Sequence, residues 1–113
     1  MNVASIFDHV VYGNEKPAVS VLLNTDDVKE VRIVFKKGQE MKEHKANFPI
    51  VVAVYDGAID FGFNGERVTL EKGMMIALEG GVPHDLLAKQ DSIVRLSLSK
   101  GDSIERAKKV AEG

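Results

Sequence analysis

The chain has 113 residues, 44% of them hydrophobic and 28% charged, with a formal net charge of −2. That length suits one domain with one real hydrophobic core and is too short for two. The near-neutral balance gives no reason to expect a nucleic-acid partner, which usually leaves a basic face or stripe, and the absence of cysteine excludes disulfides and thiolate chemistry.

The N-terminal MNVASIFDHVV has neither a basic n-region nor an apolar run of signal-peptide length. A cytoplasmic protein is therefore expected. The longest apolar stretch, residues 49–55, is far short of the ~20 residues needed to cross a bilayer, so no membrane association is expected.

Strand signals run from residue 18 to residue 98. Ala18 to Leu23 is a short β-rich run ended by Asn24-Thr25-Asp26-Asp27, a turn-forming cluster. Val31, Ile33 and Phe35 alternate with Arg32, Val34 and Lys36, the period of a half-buried strand, and Gly38 breaks the run. The mixed charges of Lys36, Lys37, Glu40, Lys42, Glu43 and Lys45 read as a solvated edge. Ile50 to Tyr55 is continuous and β-branched, as a buried strand would be, and Asp56-Gly57 turns the chain.

Asn64-Gly65 lies between two alternating runs and calls for a two-residue type I′ hairpin, because both turn positions need positive φ. That turn pairs Phe63 with Glu66, Phe61 with Val68 and Ile59 with Leu70, placing five apolar side chains on one face. Glu71-Lys72-Gly73 turns again. Met74 to Leu78, Leu86 to Ala88 and Ile93 to Leu98 complete the β region. Ile104, Ala107, Val110 and Ala111 then recur at helical spacing behind Asp102 or Ser103, predicting a short helix over 102–112. Many short strands without intervening helices indicate an all-β sandwich or barrel.

Two glycine-anchored histidines narrow the choice. Gly38-Gln39-Glu40-Met41-Lys42-Glu43-His44-Lys45-Ala46 continues to Asp56-Gly57, and Gly73 leads through Glu79-Gly80-Gly81-Val82-Pro83 to His84. These blocks resemble the two motifs of the cupin superfamily. The first is Gly, five residues, His-x-His, an acidic residue and a closing Gly; the second is Gly, five residues, Pro-x-Gly, two residues, His. The resemblance covers roughly residues 30 to 98. It implies an all-β chain: a small antiparallel jelly-roll β-barrel over 28–98, with lead-in strands over 1–27 and the helix over 102–112, forming a single domain over 1–113. It also implies a homodimer paired through N-terminal strands, an expectation reinforced by the apolar, otherwise unprotected run Ala18 to Leu23.

The departures from those motifs bear on chemistry. Ala46 stands where the family places its second histidine, Ile50 where it places a glutamate, Glu79 at the proline and Ala88 at a final asparagine. Of the family's four metal ligands, His44 and His84 remain, an incomplete site for Zn, Fe or Mn, which take three or four protein ligands when held tightly. Glu43 and Asp85 should point outward from their strands, which leaves Glu79 as a further candidate ligand. No cofactor is expected.

The site residues expected from this reading are His44, His84, Met75 and Phe61, binding a small polar or acidic molecule in the barrel interior. Met41 and Met74 fit either pocket wall or core, Pro49 and Pro83 stiffen rim loops, and His9 lies outside both motifs. The alternative is a cupin enzyme, an isomerase, decarboxylase or metal-dependent oxygenase, using His44 and His84. No nucleophile elbow, catalytic-triad order or phosphate loop is present.

Overall fold

The computed structural model describes residues 2–100, and the helix expected over 102–112 lies outside them. Nine strands follow in chain order: β1 (Ala18–Asn24), β2 (Val28–Phe35), β3 (Glu40–His44), β4 (Ile50–Asp56), β5 (Ala58–Phe63), β6 (Glu66–Glu71), β7 (Met75–Leu78), β8 (His84–Ala88) and β9 (Ser92–Ser99). They form two antiparallel sheets, one ordered β1-β2-β9-β4-β7 and the other β3-β8-β5-β6. Among the described residues there is no helix, and hence none long and apolar enough to cross a membrane.

The core lies between the two sheets. Val31, Ile33 and Phe35 of β2, Ile50, Val52 and Val54 of β4 and Val94 of β9 face Ile59 and Phe61 of β5, Leu70 of β6 and Leu86 of β8. The hairpin at Asn64-Gly65 has the expected register, Phe63↔Glu66, Phe61↔Val68 and Ile59↔Leu70. Its two turn residues have φ of 51° and 76°, as the primed turn demands. The period-two pattern and the turn chemistry select the same face, so Ile59 and Phe61 are fully buried.

Two features depart from the expected barrel. No strand pairing joins one sheet to the other, so the described residues form a two-sheet sandwich and not a closed barrel. The seam between the edge strands β1 and β3 is open, and a cleft of about 1030 Å³ lies along it. β2 is also buried on both faces, not one, because Arg32 and Val34 on its outer side are covered as well. The N-terminal segment provides that cover. The Arg32 guanidinium donates to the carbonyls of Ile6 (3.1 Å), Asp8 and His9 (3.2 Å), and Phe7 meets Tyr55 edge to face at 6.2 Å.

Candidate functional site

The site is built on the pairing of β3 with β8. Met41 lies opposite Leu86 and His44 opposite His84, with a break in register between them. Lys42 and Glu43 on β3 therefore share the single Asp85 on β8, as in a β-bulge. The extra residue lets Met41 and His44, three positions apart, face the same side. Simple alternation would have turned one of them outward.

Across this pairing the two imidazoles meet at 4.4 Å between centroids, with their planes at 60°. His84 is 3% exposed, whereas His44 is exposed at the wall of the open cleft. Each ring is tied by Nδ1 to the carbonyl two residues before it, His44 to Lys42 at 2.8 Å and His84 to Val82 at 2.9 Å. A carbonyl can only accept, so each Nδ1 carries the proton and donates it, which leaves Nε2 as the free nitrogen of both neutral rings. Phe61 lies parallel to His84, 5.8 Å between centroids at 9°, and fixes its plane.

The loops at this end hold each other. Gly81 N–H donates to the Ala46 carbonyl at 2.7 Å. Gly80 passes so close to the backbone of Asn47 and Phe48 that a β-carbon there would stand 2.4 Å from the Asn47 oxygen. The glycine pair thus has a packing role just before His84.

Burial, reinforced by the neighbouring His44, holds the His84 imidazole below its ordinary pKa of 6.5, against the opposing pull of the Val82 carbonyl. Behind the site, Asp85 turns outward as expected. Arg67 grips both of its oxygens (Nη1 3.1 Å, Nη2 2.7 Å) and reaches Asp60 through Nε at 2.9 Å. Those hydrogen bonds hold the Asp85 carboxyl below its usual range. This brace spans β6, β5 and β8, and sequence reading missed it, because nothing in the spacing of Asp60, Arg67 and Asp85 marks them as neighbours.

The other expected site residues divide. Phe61 is at the site. Met75 is not: it is 64% exposed, on the outer face of β7, because Ile76 and Leu78 take the inward phase of that strand. Met41 is the methionine beside the pair, packed on the core and lining the cleft. His9 contributes a carbonyl to Arg32.

The residues present do not fit a tightly held metal ion. At the two positions where further ligands were sought, Ala46 packs against the core and Ile50 is 3% exposed within it. Glu79 is exposed and lines a separate apolar cavity with Pro49, Leu78 and Leu98. Among the described residues, no group of three or more His, Cys, Asp or Glu side chains could hold a metal ion. Two imidazoles alone fall short of the three or four ligands such ions require.

No model of a known protein family matches the sequence, and no curated protein matches it. Solved structures do. The RmlC-like cupin protein from Desulfovibrio desulfuricans superposes with a TM-score of 0.81 at 20% identity, over 88% of this chain and 96% of that one. KdgF from Halomonas sp. gives 0.76 at 19% identity, over 88% and 94%. A conserved protein with a double-stranded β-helix domain from Klebsiella pneumoniae gives 0.77 at 22% identity, over 88% and 89%. The chain therefore has the fold of the RmlC-like cupins, and on that fold it carries a facing pair of histidines, with the apolar residues Ala46 and Ile50 nearby in the sequence.

Proposed function

We propose that the chain binds a small polar or acidic molecule at His44 and His84 without a tightly held metal ion. The observation that carries this reading is the facing pair itself. Two imidazoles are oriented by their own backbone carbonyls, and neither Nε2 has a hydrogen-bond partner among the described residues. Structural histidines use up their polar atoms when buried, whereas here one nitrogen of each ring is left free, and His44 lines an open cleft.

The pair supplies graded chemistry. With both rings neutral, each Nε2 accepts from a hydroxyl or an undissociated acid. When one ring takes up a proton it becomes a donor and a cation, and it can hold a carboxylate by a charge-assisted bond. Burial opposes a charge on His84, so an acid that ionises at the pair brings the counter-charge that the buried ring otherwise lacks. The Met41 side chain supplies an apolar wall, and the buried Phe61 ring backs His84.

The test is a thermal-shift and calorimetric titration with lactate, malate and gluconate, using the full chain and a His44→Ala/His84→Ala variant. At least one acid should raise the melting temperature of the unaltered chain and leave the variant unmoved. An acid at a hundred times its dissociation constant adds about 2.7 kcal/mol. Absence of any shift, or a shift that survives in the variant, would overturn the reading.

A further inference from the structure

The outer face of the larger sheet carries a charge imbalance beneath the N-terminal segment. Arg32 of β2 and Arg95 of β9 stand directly opposite each other in register, on the side away from the core residues Ile33 and Val94. Like charges placed directly opposite destabilise a pair of strands. Along the outward positions of these two strands, Glu30 is the one carboxylate facing the two guanidinium groups.

The two arginines are held differently. Arg32 directs its Nη atoms to three carbonyls of the N-terminal segment. Arg95 has no such acceptors. Its Nε is buried without a hydrogen bond among the described residues, 3.5 Å from a Glu30 oxygen that already accepts from the Ser97 hydroxyl. The guanidinium carbon stands over the Tyr55 ring, 5.6 Å from its centroid. A planar guanidinium held over a ring face keeps its fork of N–H groups at the edge, where a further acceptor can meet it.

A cavity of about 240 Å³ lies at this point, lined by Arg95, by Ala4 and Ile6 of the N-terminal segment and by Leu22 and Leu23 of β1. The break in register between Val21 and Leu23 lets two leucines adjacent in sequence both reach it. Its size is below the ~300 Å³ at which sites for drug-sized ligands begin. It therefore suits a small molecule with one polar end and an apolar body.

We infer that this cavity binds a short-chain aliphatic monocarboxylate, its carboxylate held by Arg95 and its alkyl chain laid against Ile6, Leu22 and Leu23. A single negative charge balances two guanidinium groups and the one carboxylate of Glu30. The arginine fork matches a carboxylate and forms charge-assisted bonds with it. The apolar lining gives a hydroxyl no partner, so hydroxy acids suited to the histidine pair are rejected here. The larger sheet separates this cavity from His44 and His84, and the two sites are independent.

Calorimetric titration with acetate, butyrate and pentanoate, on the unaltered chain and on the His44→Ala/His84→Ala variant, tests this apart from any binding at the histidines. Both proteins should bind pentanoate equally, and affinity should rise about fourfold for each methylene added along the series. Pentanamide, which has the shape without the charge, should bind at least tenfold more weakly. Arg95→Gln should lower the pentanoate affinity at least tenfold with circular dichroism retained. Should that variant fail to fold, Arg95→Lys keeps the charge but not the fork and should still weaken binding severalfold. Pentanoate should also shift the methyl resonances of Leu22 and Leu23. No binding, equal affinity for pentanamide, affinity unchanged by the Arg95 substitutions, or binding lost in the histidine variant would overturn the proposal.

Discussion

His44 and His84 stand directly opposite each other on adjacent antiparallel strands, their ring centroids 4.4 Å apart, one ring exposed and the other buried. Burial, with a smaller contribution from the neighbouring His44 charge, therefore disfavours the protonated form of His84.

Acid should weaken the fold through His84. Its folded pKa lies below 6.5, so the unfolded chain binds this proton first as pH falls. The residue costs nothing well above pH 6.5. It becomes destabilising from there down to its folded pKa, at a limiting slope of about 1.4 kcal/mol per pH unit for one proton. Urea unfolding at a series of pH values should show this loss in the wild type and a shallower one in His84→Asn, which cannot titrate. Equal slopes would contradict the assignment.

Removing the ring that supports His84 should be costly. Phe61 is fully buried, and Phe61→Ala is expected to destabilise the chain by about 3–5 kcal/mol. Phe61→Leu should cost much less and still free the His84 ring to reorient, visible as a shifted and broadened imidazole resonance. An unmoved resonance would show that the stacking does not position the ring.

Two glycines of positive φ should respond very differently to alanine. Gly65 (φ 76°) has nothing within 4 Å of where a β-carbon would sit, so Gly65→Ala carries only backbone strain, about 1–2 kcal/mol. Gly57 (φ 86°) adds a collision, with the Asp91 carbonyl oxygen at 2.3 Å and the Ser92 Cα at 2.8 Å. Gly57→Ala should lose clearly more stability in chemical denaturation. Equal losses would mean that the β4–β5 corner relaxes freely.

The N-terminal segment should come loose when its clamp is cut. Arg32 holds three carbonyls of residues 6–9 from a buried position. Arg32→Met should therefore make residues 2–12 sensitive to limited proteolysis while β2 to β9 stay resistant. Unchanged cleavage would assign the cover of β2 to the Phe7–Tyr55 contact instead.

Much of this architecture is legible in the sequence because its signals are local. Asn64-Gly65 names both its turn type and its register, and the apolar run from Ile50 marks a strand buried in the core. The motif spacing brings His44 and His84 to one place. What was not legible depends on partners distant in the chain. The break between Met41 and His44 needs β8 to reveal it. The burial of Arg32 needs residues 6–9 laid across β2. Met75 was misplaced because alternation along β7 says that Met75 and Ile76 face opposite ways, but only the core shows which of them faces inward. The open seam follows from one sheet being a strand wider than the other, which no single segment encodes.

The claim that most of this rests on is a histidine pair that works without a resident metal ion, and metal content tests it most directly. The purified chain is incubated with zinc, iron and manganese, freed of excess ion by gel filtration, and analysed by elemental mass spectrometry beside the His44→Ala/His84→Ala variant. Metal well below one equivalent in both proteins is the expected result. Near one equivalent in the wild type, lost in the variant, would contradict the account and require a third ligand, with Glu79 the first to be replaced.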